Sequence, residues 1–183
     1  MKNVVIRMES TLNPNYVFKG HSLFTDREAR DIGGGLVLWR GYFQSIRPAV
    51  GRMLINVDIS TGVMYKPGNL LNLCKEFFGR PDPNVLAPRR GLPDHDQAKL
   101  QRFLTGIRIN TISPETGVTD RTKARIVKGL STVGASDLSF SPRDGGQITV
   151  AQYFRETYSR ALRYPDVLCV EVNQPCHTVS ESQ

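Results

Sequence analysis

The chain has 183 residues, of which 39% are hydrophobic and 22% charged, a composition typical of a folded domain rather than a disordered or fibrous protein. Its apolar stretches are only a few residues long, so we expect neither a membrane-spanning helix nor a secretory signal. The formal net charge is +7, and residues 1–79, 80–130 and 131–183 carry +4, +5 and −2. This uneven basic excess favours a surface that faces a polyanion.

The cysteines are odd in number and widely spaced, at Cys74, Cys169 and Cys176. That spacing fits neither a disulfide framework nor a zinc site. We therefore expect reduced thiols and a cytoplasmic protein.

The first third of the chain is predicted to consist of strands. Residues 1–31 alternate apolar and polar positions between turn signals, although residues 25–30 are also compatible with a helical turn. The triple glycine at 33–35 precedes a strand-like run at 36–47, and a second run with a period of two follows at 53–60. These two runs predict a β-hairpin.

The rest of the chain is predicted to mix helices with strands. Apolar spacing predicts three helices and two strands, at 70–78 (helix), 96–103 (helix), 107–112 (strand), 149–158 (helix) and 167–172 (strand). Four prolines indicate an irregular connection over 80–93, and Gly, Ser and Thr indicate small strands joined by turns over 113–146. The tail from Asn173 to Gln183 has no packing signal, and we expect it to be disordered.

The residues that usually carry catalysis are dispersed. His21, His95 and His177 have no metal-ligand spacing, and the glycines at 33–35 lack the Gly-Lys-Ser/Thr of a phosphate-binding loop. The acidic residues form no concentrated pair or triad. We expect a protein without a metal or cofactor that is not an enzyme.

Aromatic residues follow a basic stretch in the second half of the chain. Phe140, Tyr153, Phe154 and Tyr158 lie within twenty residues of one another, after the cations of 121–128. Aromatic rings stack on bases, and tyrosine hydroxyls and cations hold phosphates, so this pairing suits single-stranded nucleic acid. Helical spacing also favours core packing, and we expect at least one of Tyr153 and Phe154 in the core, with Phe140 and Tyr158 more exposed.

Two ordered blocks of sequence resemble the first linker and the PAZ domain of eukaryotic Argonaute proteins. The linker block begins with the glycines, passes through Gln44-Ser45-Ile46-Arg47-Pro48, and continues over 54–60 to Tyr65-Lys66-Pro67. The PAZ block consists of 149–154, Leu162-Arg163-Tyr164-Pro165 and Cys169. The resemblance covers about 30–78 and 100–172, and divergence from animal versions favours a fungal member.

The resemblance implies an α+β, mostly β fold. It places linker strands at 1–64 and, at 65–183, a PAZ domain with an OB-like barrel and an α/β appendage. It implies a binding module that anchors the 3′ end of a small single-stranded guide RNA without sequence specificity, in RNA silencing. The slicer activity of the family belongs to a PIWI domain, so the implied partners are the guide RNA and the other Argonaute domains, with no membrane contact and a monomeric state.

The family's RNA-contacting positions carry over only in part. Those that match are Phe140 for stacking on the last nucleotide, and Tyr153, Tyr158, Arg121, Lys123 and Arg125 for phosphate and sugar contacts. Where the family usually has a tyrosine, a histidine and a basic residue, this chain has Ala124, Thr111-Ile112-Ser113 and Thr157. If each contact contributes about 1 kcal/mol, three losses lower the affinity about a hundredfold or more.

Two other interpretations stay open at this point. A degenerate PAZ domain that has lost its end pocket would act mainly as a structural unit that packs against other Argonaute domains. The other is a PAZ domain from a Dicer-like nuclease, although the Gln44-Ser45 signature favours Argonaute over a Dicer-like protein.

Overall fold

The computed structural model describes residues 16–19, 22–113, 119–142 and 145–173, with the side chains of residues 18, 19 and 119–123 left out. The chain divides into two compact units, Met1–Asn69 and Leu70–Gln183. The predicted disordered tail falls on 174–183, which lie outside the described residues. Among the described helices, none is long and apolar enough to cross a membrane.

The first unit contains a four-stranded antiparallel sheet in the order β1-β2-β3-β4. Its strands are β1 (Tyr16–Lys19), β2 (Ser22–Gly33), β3 (Leu36–Ala49) and β4 (Arg52–Tyr65). The predicted hairpin is confirmed, because β3 pairs with β4 from Leu36↔Tyr65 to Ala49↔Arg52 without a register shift. The segment 25–30 belongs to β2, so its interpretation as a helical turn is wrong.

Two glycines are required where the Phe24 ring packs on one face of this sheet. The Phe24 side chain, only 5% exposed, lies over Gly41 on β3 and Gly62 on β4. A Cβ at Gly41 would stand 2.5 Å from Phe24 Cδ1, and one at Gly62 would stand 2.7 Å from Phe24 Cε1. Both contacts are closer than real Cβ atoms approach, so the ring packs here because two neighbouring strands lack side chains at these points.

The second unit contains three α-helices and five strands among the described residues. The helices are α1 (Leu70–Phe78), α2 (Asp94–Leu104) and α3 (Val150–Tyr158), with 3-10 turns at Pro83–Leu86 and Pro88–Arg90. The strands are β5 (Arg108–Ile112), β6 (Thr119–Gly134), β7 (Ser139–Phe140), β8 (Ile148–Thr149) and β9 (Leu168–Val172). β5, β6 and β9 form one antiparallel sheet, and β7 and β8 form a separate pair.

The core of the second unit lies between the two first helices and the sheet. Leu100 and Leu104 of α2 are at most 1% exposed and pack with Val127 of β6 and Leu73 of α1. The amide of Gln97 on α2 also donates to the Ser131 carbonyl of β6 at 3.0 Å. Apolar burial along one face of α2 therefore holds this helix across β6.

The predicted α+β, mostly β fold class is confirmed, with two differences in detail. The described strands form separate sheets that do not close into a barrel. The expectation of small strands over 113–146 is wrong for the central part, where β6 runs unbroken for 16 residues. Strand β6 keeps glycine at Gly134 because a Cβ there would collide with the backbone of Asp166, so this glycine marks a close approach rather than a turn.

Candidate nucleic-acid interface

Helix α3 positions most of the predicted RNA-contacting aromatic residues, and its start is fixed by a capping box. The Thr149 hydroxyl accepts from the Gln152 backbone N–H at 3.2 Å, and the Gln152 side chain accepts from the Thr149 N–H at 3.1 Å. The next amide, that of Val150, donates to the Leu138 carbonyl at 2.9 Å. The Val150 bond attaches the start of the helix to Leu138, two residues before Phe140.

Four aromatic rings meet where β7 faces α3, and we call Phe140, Tyr153, Phe154 and Tyr158 the aromatic cluster. The Phe140 and Tyr153 ring centroids are 5.3 Å apart at an interplanar angle of 74°, and those of Tyr153 and Tyr158 are 5.9 Å apart at 86°. Phe154 completes the cluster at 5.4 Å from Tyr158. Edge-to-face contacts of this kind stabilise a pair by about 0.5–1.5 kcal/mol beyond burial.

Exposure within the aromatic cluster differs from the expectation. Phe140 is 38% exposed, as predicted. Tyr153, Phe154 and Tyr158 are all half-buried. The expectation that Tyr153 or Phe154 enters the fully buried core is therefore wrong, and Tyr158 is less exposed than expected. The α3 aromatics pack on one another and on Phe140, which leaves them at the surface. Phe154 was not among the predicted contact residues, because helical spacing favoured core packing there.

The predicted cations lie on β6, in the other sheet of the unit. Arg121 and Lys123 belong to this strand, but their side chains lie outside the described residues. Arg125 is half-buried opposite Ile109 of β5, and its Nε is buried without a hydrogen-bond partner among the described residues. A buried guanidinium N–H ordinarily has an acceptor, so this atom is an unsatisfied donor within the sheet and is not open to a ligand in this conformation.

The structure describes the positions at which the resemblance implied further hydrogen-bond donors. Ala124 on β6 and Thr157 on α3 are exposed. On and after β5, Thr111 and Ser113 are half-buried, and Ile112 is 60% exposed. The structure thus brings Phe140, Tyr153 and Tyr158 together. At the positions where the resemblance implied a tyrosine, a histidine and a basic residue, Ala124 and Ile112 offer no donor, and Thr111, Ser113 and Thr157 offer only hydroxyls.

The remaining titratable groups offer no second reactive centre in the part of the chain that the structure describes. Burial raises the pKa of the Cys74 thiol to about 11, and it also raises the pKa of Cys169, against a Ser131 hydrogen bond that lowers it. Raised thiol pKa values disfavour the nucleophilic thiolate. No group of three or more His, Cys, Asp or Glu side chains among the described residues could hold a metal ion.

Comparison with known protein families identifies the family to which the chain belongs. The model of the PAZ domain matches residues 86–181, and that of the Argonaute linker 1 domain matches residues 19–66. The chain belongs to the PAZ domain family. It is the linker 1 and PAZ part of an Argonaute, and these two families are binding modules rather than catalytic domains.

Relatives and solved structures agree with this assignment. Protein argonaute 14 of Oryza sativa subsp. japonica is 34% identical over 179 residues, which cover 97% of this chain and 16% of that protein. The Schizosaccharomyces pombe Argonaute is 33% identical over 156 residues, covering 83% of this chain and 18% of that protein. The Kluyveromyces polysporus Argonaute crystallised with a guide RNA matches 93% of this chain and 21% of its own, with a TM-score of 0.57 at 15% identity. The chain therefore spans less than a fifth of these curated relatives and shares the fold of the solved one.

Proposed function

We propose that this PAZ domain anchors the 3′ end of a small single-stranded guide RNA, independently of sequence, within a cytoplasmic Argonaute that acts in RNA silencing. The observation that carries the proposal is the aromatic cluster, in which an exposed Phe140 ring packs against Tyr153 of α3 and Tyr153 in turn packs against Tyr158. The Kluyveromyces polysporus Argonaute, which shares this fold, was crystallised with a guide RNA.

Phe140 supplies the stacking surface in this proposal. An exposed aromatic ring can stack on any base, at about 1–3 kcal/mol per base, because every base has a π-face. The edge-to-face contact with Tyr153 holds the ring in place, so little side-chain freedom is lost on binding. Stacking without base-edge hydrogen bonds accounts for the lack of sequence preference.

Tyrosine hydroxyls and cations supply the contacts to phosphate and ribose. Tyr153 and Tyr158 are five residues apart on α3 and their ring centroids are 5.9 Å apart, so one ligand can contact both tyrosines. Arg125 adds the charge of a half-buried guanidinium on β6. Arg121 and Lys123 extend the positive charge along β6.

The test is a titration of short RNAs that differ only at the 3′ end, carrying either a free hydroxyl or a bulky blocking group, across a series of salt concentrations. Binding at the end predicts that blocking weakens the affinity about tenfold or more at every salt concentration. General electrostatic attraction predicts a steep salt dependence that is the same for both RNAs. Equal affinity for the two RNAs would refute end recognition even if salt-sensitive binding persisted.

A second candidate function is a structural PAZ domain with a weakened pocket, which acts by packing against other Argonaute domains. Exposed Ala124 and Ile112 favour it, because neither can donate a hydrogen bond where the resemblance implied a donor. This function predicts that Phe140→Ala and Tyr158→Ala leave RNA affinity unchanged. The same titration with these variants therefore separates the two proposals.

A further inference from the structure

The connection between β7 and β8 carries an exposed serine beside the aromatic cluster. Ser141 directly follows Phe140, the last residue of β7, and its side chain is exposed. On the other side of Phe140, the Ser139 hydroxyl accepts from the Gln147 side-chain amide at 2.9 Å. The Ser141 hydroxyl makes no hydrogen bond to any described residue, so it is open to an external reagent.

The residue after this serine is a proline, and a Ser-Pro dipeptide is what proline-directed protein kinases recognise. Proline has no backbone N–H and a fixed φ, two properties by which such a kinase can distinguish it from every other residue. The full sequence contains two Ser-Pro dipeptides and no Thr-Pro dipeptide, and the two are Ser113-Pro114 and Ser141-Pro142. Ser113 is half-buried just after β5, so Ser141 is the more accessible phosphate acceptor.

The local backbone can yield to an enzyme that binds its substrate in an extended form. Strands β7 and β8 pair only over Ser139–Phe140 and Ile148–Thr149. In the described part of their connection, the Gly145 N–H donates to the Pro142 carbonyl at 3.2 Å and closes an exposed turn. A two-stranded pair of this length is only marginally stable by itself, so opening of the turn requires little free energy.

We propose that Ser141 is a phosphorylation site for a proline-directed protein kinase and that its phosphate weakens capture of the RNA 3′ end, an effect that rests on the proposed function. In the transfer, the Ser141 hydroxyl oxygen forms a bond to the γ-phosphorus of ATP. The bond between that phosphorus and the β–γ bridging oxygen breaks, and ADP leaves with its electron pair. The hydroxyl proton passes to a basic group of the kinase. The modified side chain carries a charge of about −1.5 to −2 at pH 7.

The added charge acts on the RNA by electrostatic repulsion. Adjacent Cα atoms are about 3.8 Å apart, so a phosphate on Ser141 lies about 10–15 Å from a nucleotide stacked on Phe140. The Debye length is about 30 Å at 0.01 M salt and about 8 Å at 0.15 M salt, so the repulsion reaches the RNA phosphates mainly at low salt. Coulomb's law in water at this distance gives an affinity loss of about threefold at low salt.

The first experiment tests the modification without RNA. The folded chain is incubated with ATP, Mg²⁺ and either a mitogen-activated or a cyclin-dependent protein kinase, and mass spectrometry locates the phosphate. We expect phosphate on Ser141, none in Ser141→Ala, and incorporation slower by about tenfold or more in Pro142→Ala. Ser113→Ala is the matched control and should be modified at the wild-type rate. Incorporation with neither kinase, or on Ser113 in place of Ser141, would overturn the site.

The second experiment tests the effect on RNA. Fluorescence anisotropy compares binding of a free-ended octanucleotide to the phosphorylated and unmodified chains at about 0.01 M and 0.15 M salt. We expect phosphorylation to weaken binding about threefold at the lower concentration and less at the higher one. Kinase-treated Ser141→Ala should bind like the unmodified wild type, and all forms should unfold at nearly the same temperature because Ser141 is exposed.

A 3′-blocked octanucleotide separates failure of this proposal from failure of end anchoring. Equal affinity of the phosphorylated and unmodified chains at low salt would overturn the regulatory effect, and end anchoring would stand if the block still weakens binding to the unmodified chain. Indifference of the unmodified chain to the block would instead refute end anchoring, and the mass spectrum would decide the phosphorylation site by itself.

Discussion

Replacement of Phe140 by alanine is the sharpest single perturbation of the proposed end site. Phe140 is 38% exposed and touches Tyr153 at a centroid distance of 5.3 Å. The variant removes one base–ring stacking interaction, worth about 2 kcal/mol, and the RNA affinity should fall about thirtyfold. It also removes one edge-to-face contact and part of a buried ring, which should lower the free energy of unfolding by about 1–2 kcal/mol, well below the cost for a fully buried phenylalanine.

The assay is fluorescence anisotropy with a labelled octanucleotide, alongside chemical denaturation of the same preparations. Phe140→Tyr is the matched control, because it keeps an aromatic face and should bind within about threefold of the wild type. The reasoning is refuted if Phe140→Ala remains folded and binds the RNA as tightly as the wild type. A loss of the same size in Phe140→Tyr would also contradict stacking as the cause.

Three further predictions concern the elements around the site. Thr149→Ala removes the capping box of α3 and should lower the free energy of unfolding by about 1 kcal/mol, measured by urea denaturation, with Thr157→Ala on the exposed face as the control. Gly41→Ala forces a Cβ to within 2.5 Å of Phe24 and should lower the free energy of unfolding of the first unit by more than about 2 kcal/mol. Ser60→Ala, at the position paired with Gly41 on β4, is the control and should change the free energy of unfolding little. The Cys74 thiol, whose pKa burial raises from 9.0 to about 11, should resist alkylation at pH 8 until the protein unfolds, and its contribution to stability should be complete below pH 9 and disappear as the pH rises through 11. Rapid native-state alkylation of Cys74, or unchanged stability in either substitution, would contradict the corresponding prediction.

Alternation made the linker hairpin predictable from the sequence. Runs 36–47 and 53–60 have a period of two, and the glycines at 33–35 and 51 have positive φ values that suit turns. Strand β6 was missed because Gly129 and Gly134 resemble turn residues. In the structure Gly129 lies within the strand, where a Cβ would make only ordinary contact with Glu171 Oε2 at 3.5 Å, and Gly134 is the last residue of the strand, where a Cβ would clash with the Asp166 backbone. The close approach at Gly134 comes from tertiary packing, which local sequence does not encode.

The candidate site was only partly readable from the sequence. Helical spacing placed Tyr153 and Tyr158 near each other, and their rings are indeed 5.9 Å apart. Phe140 reaches them through the β7–β8 pair, a long-range arrangement that residue spacing cannot give. The assignment of Arg121 and Lys123 to RNA contact stays a prediction.

The central claim is that the aromatic cluster receives the 3′ end of an RNA strand. The most direct measurement is to record NMR chemical shifts of Phe140, Tyr153 and Tyr158 during titration with the same octanucleotide in free and 3′-blocked form. We predict that the free-ended RNA shifts the ring resonances of all three residues, and that the blocked RNA leaves them near their unbound positions. Equal shifts of the three rings with both RNAs, or no shift with either at saturating binding, would contradict the claim.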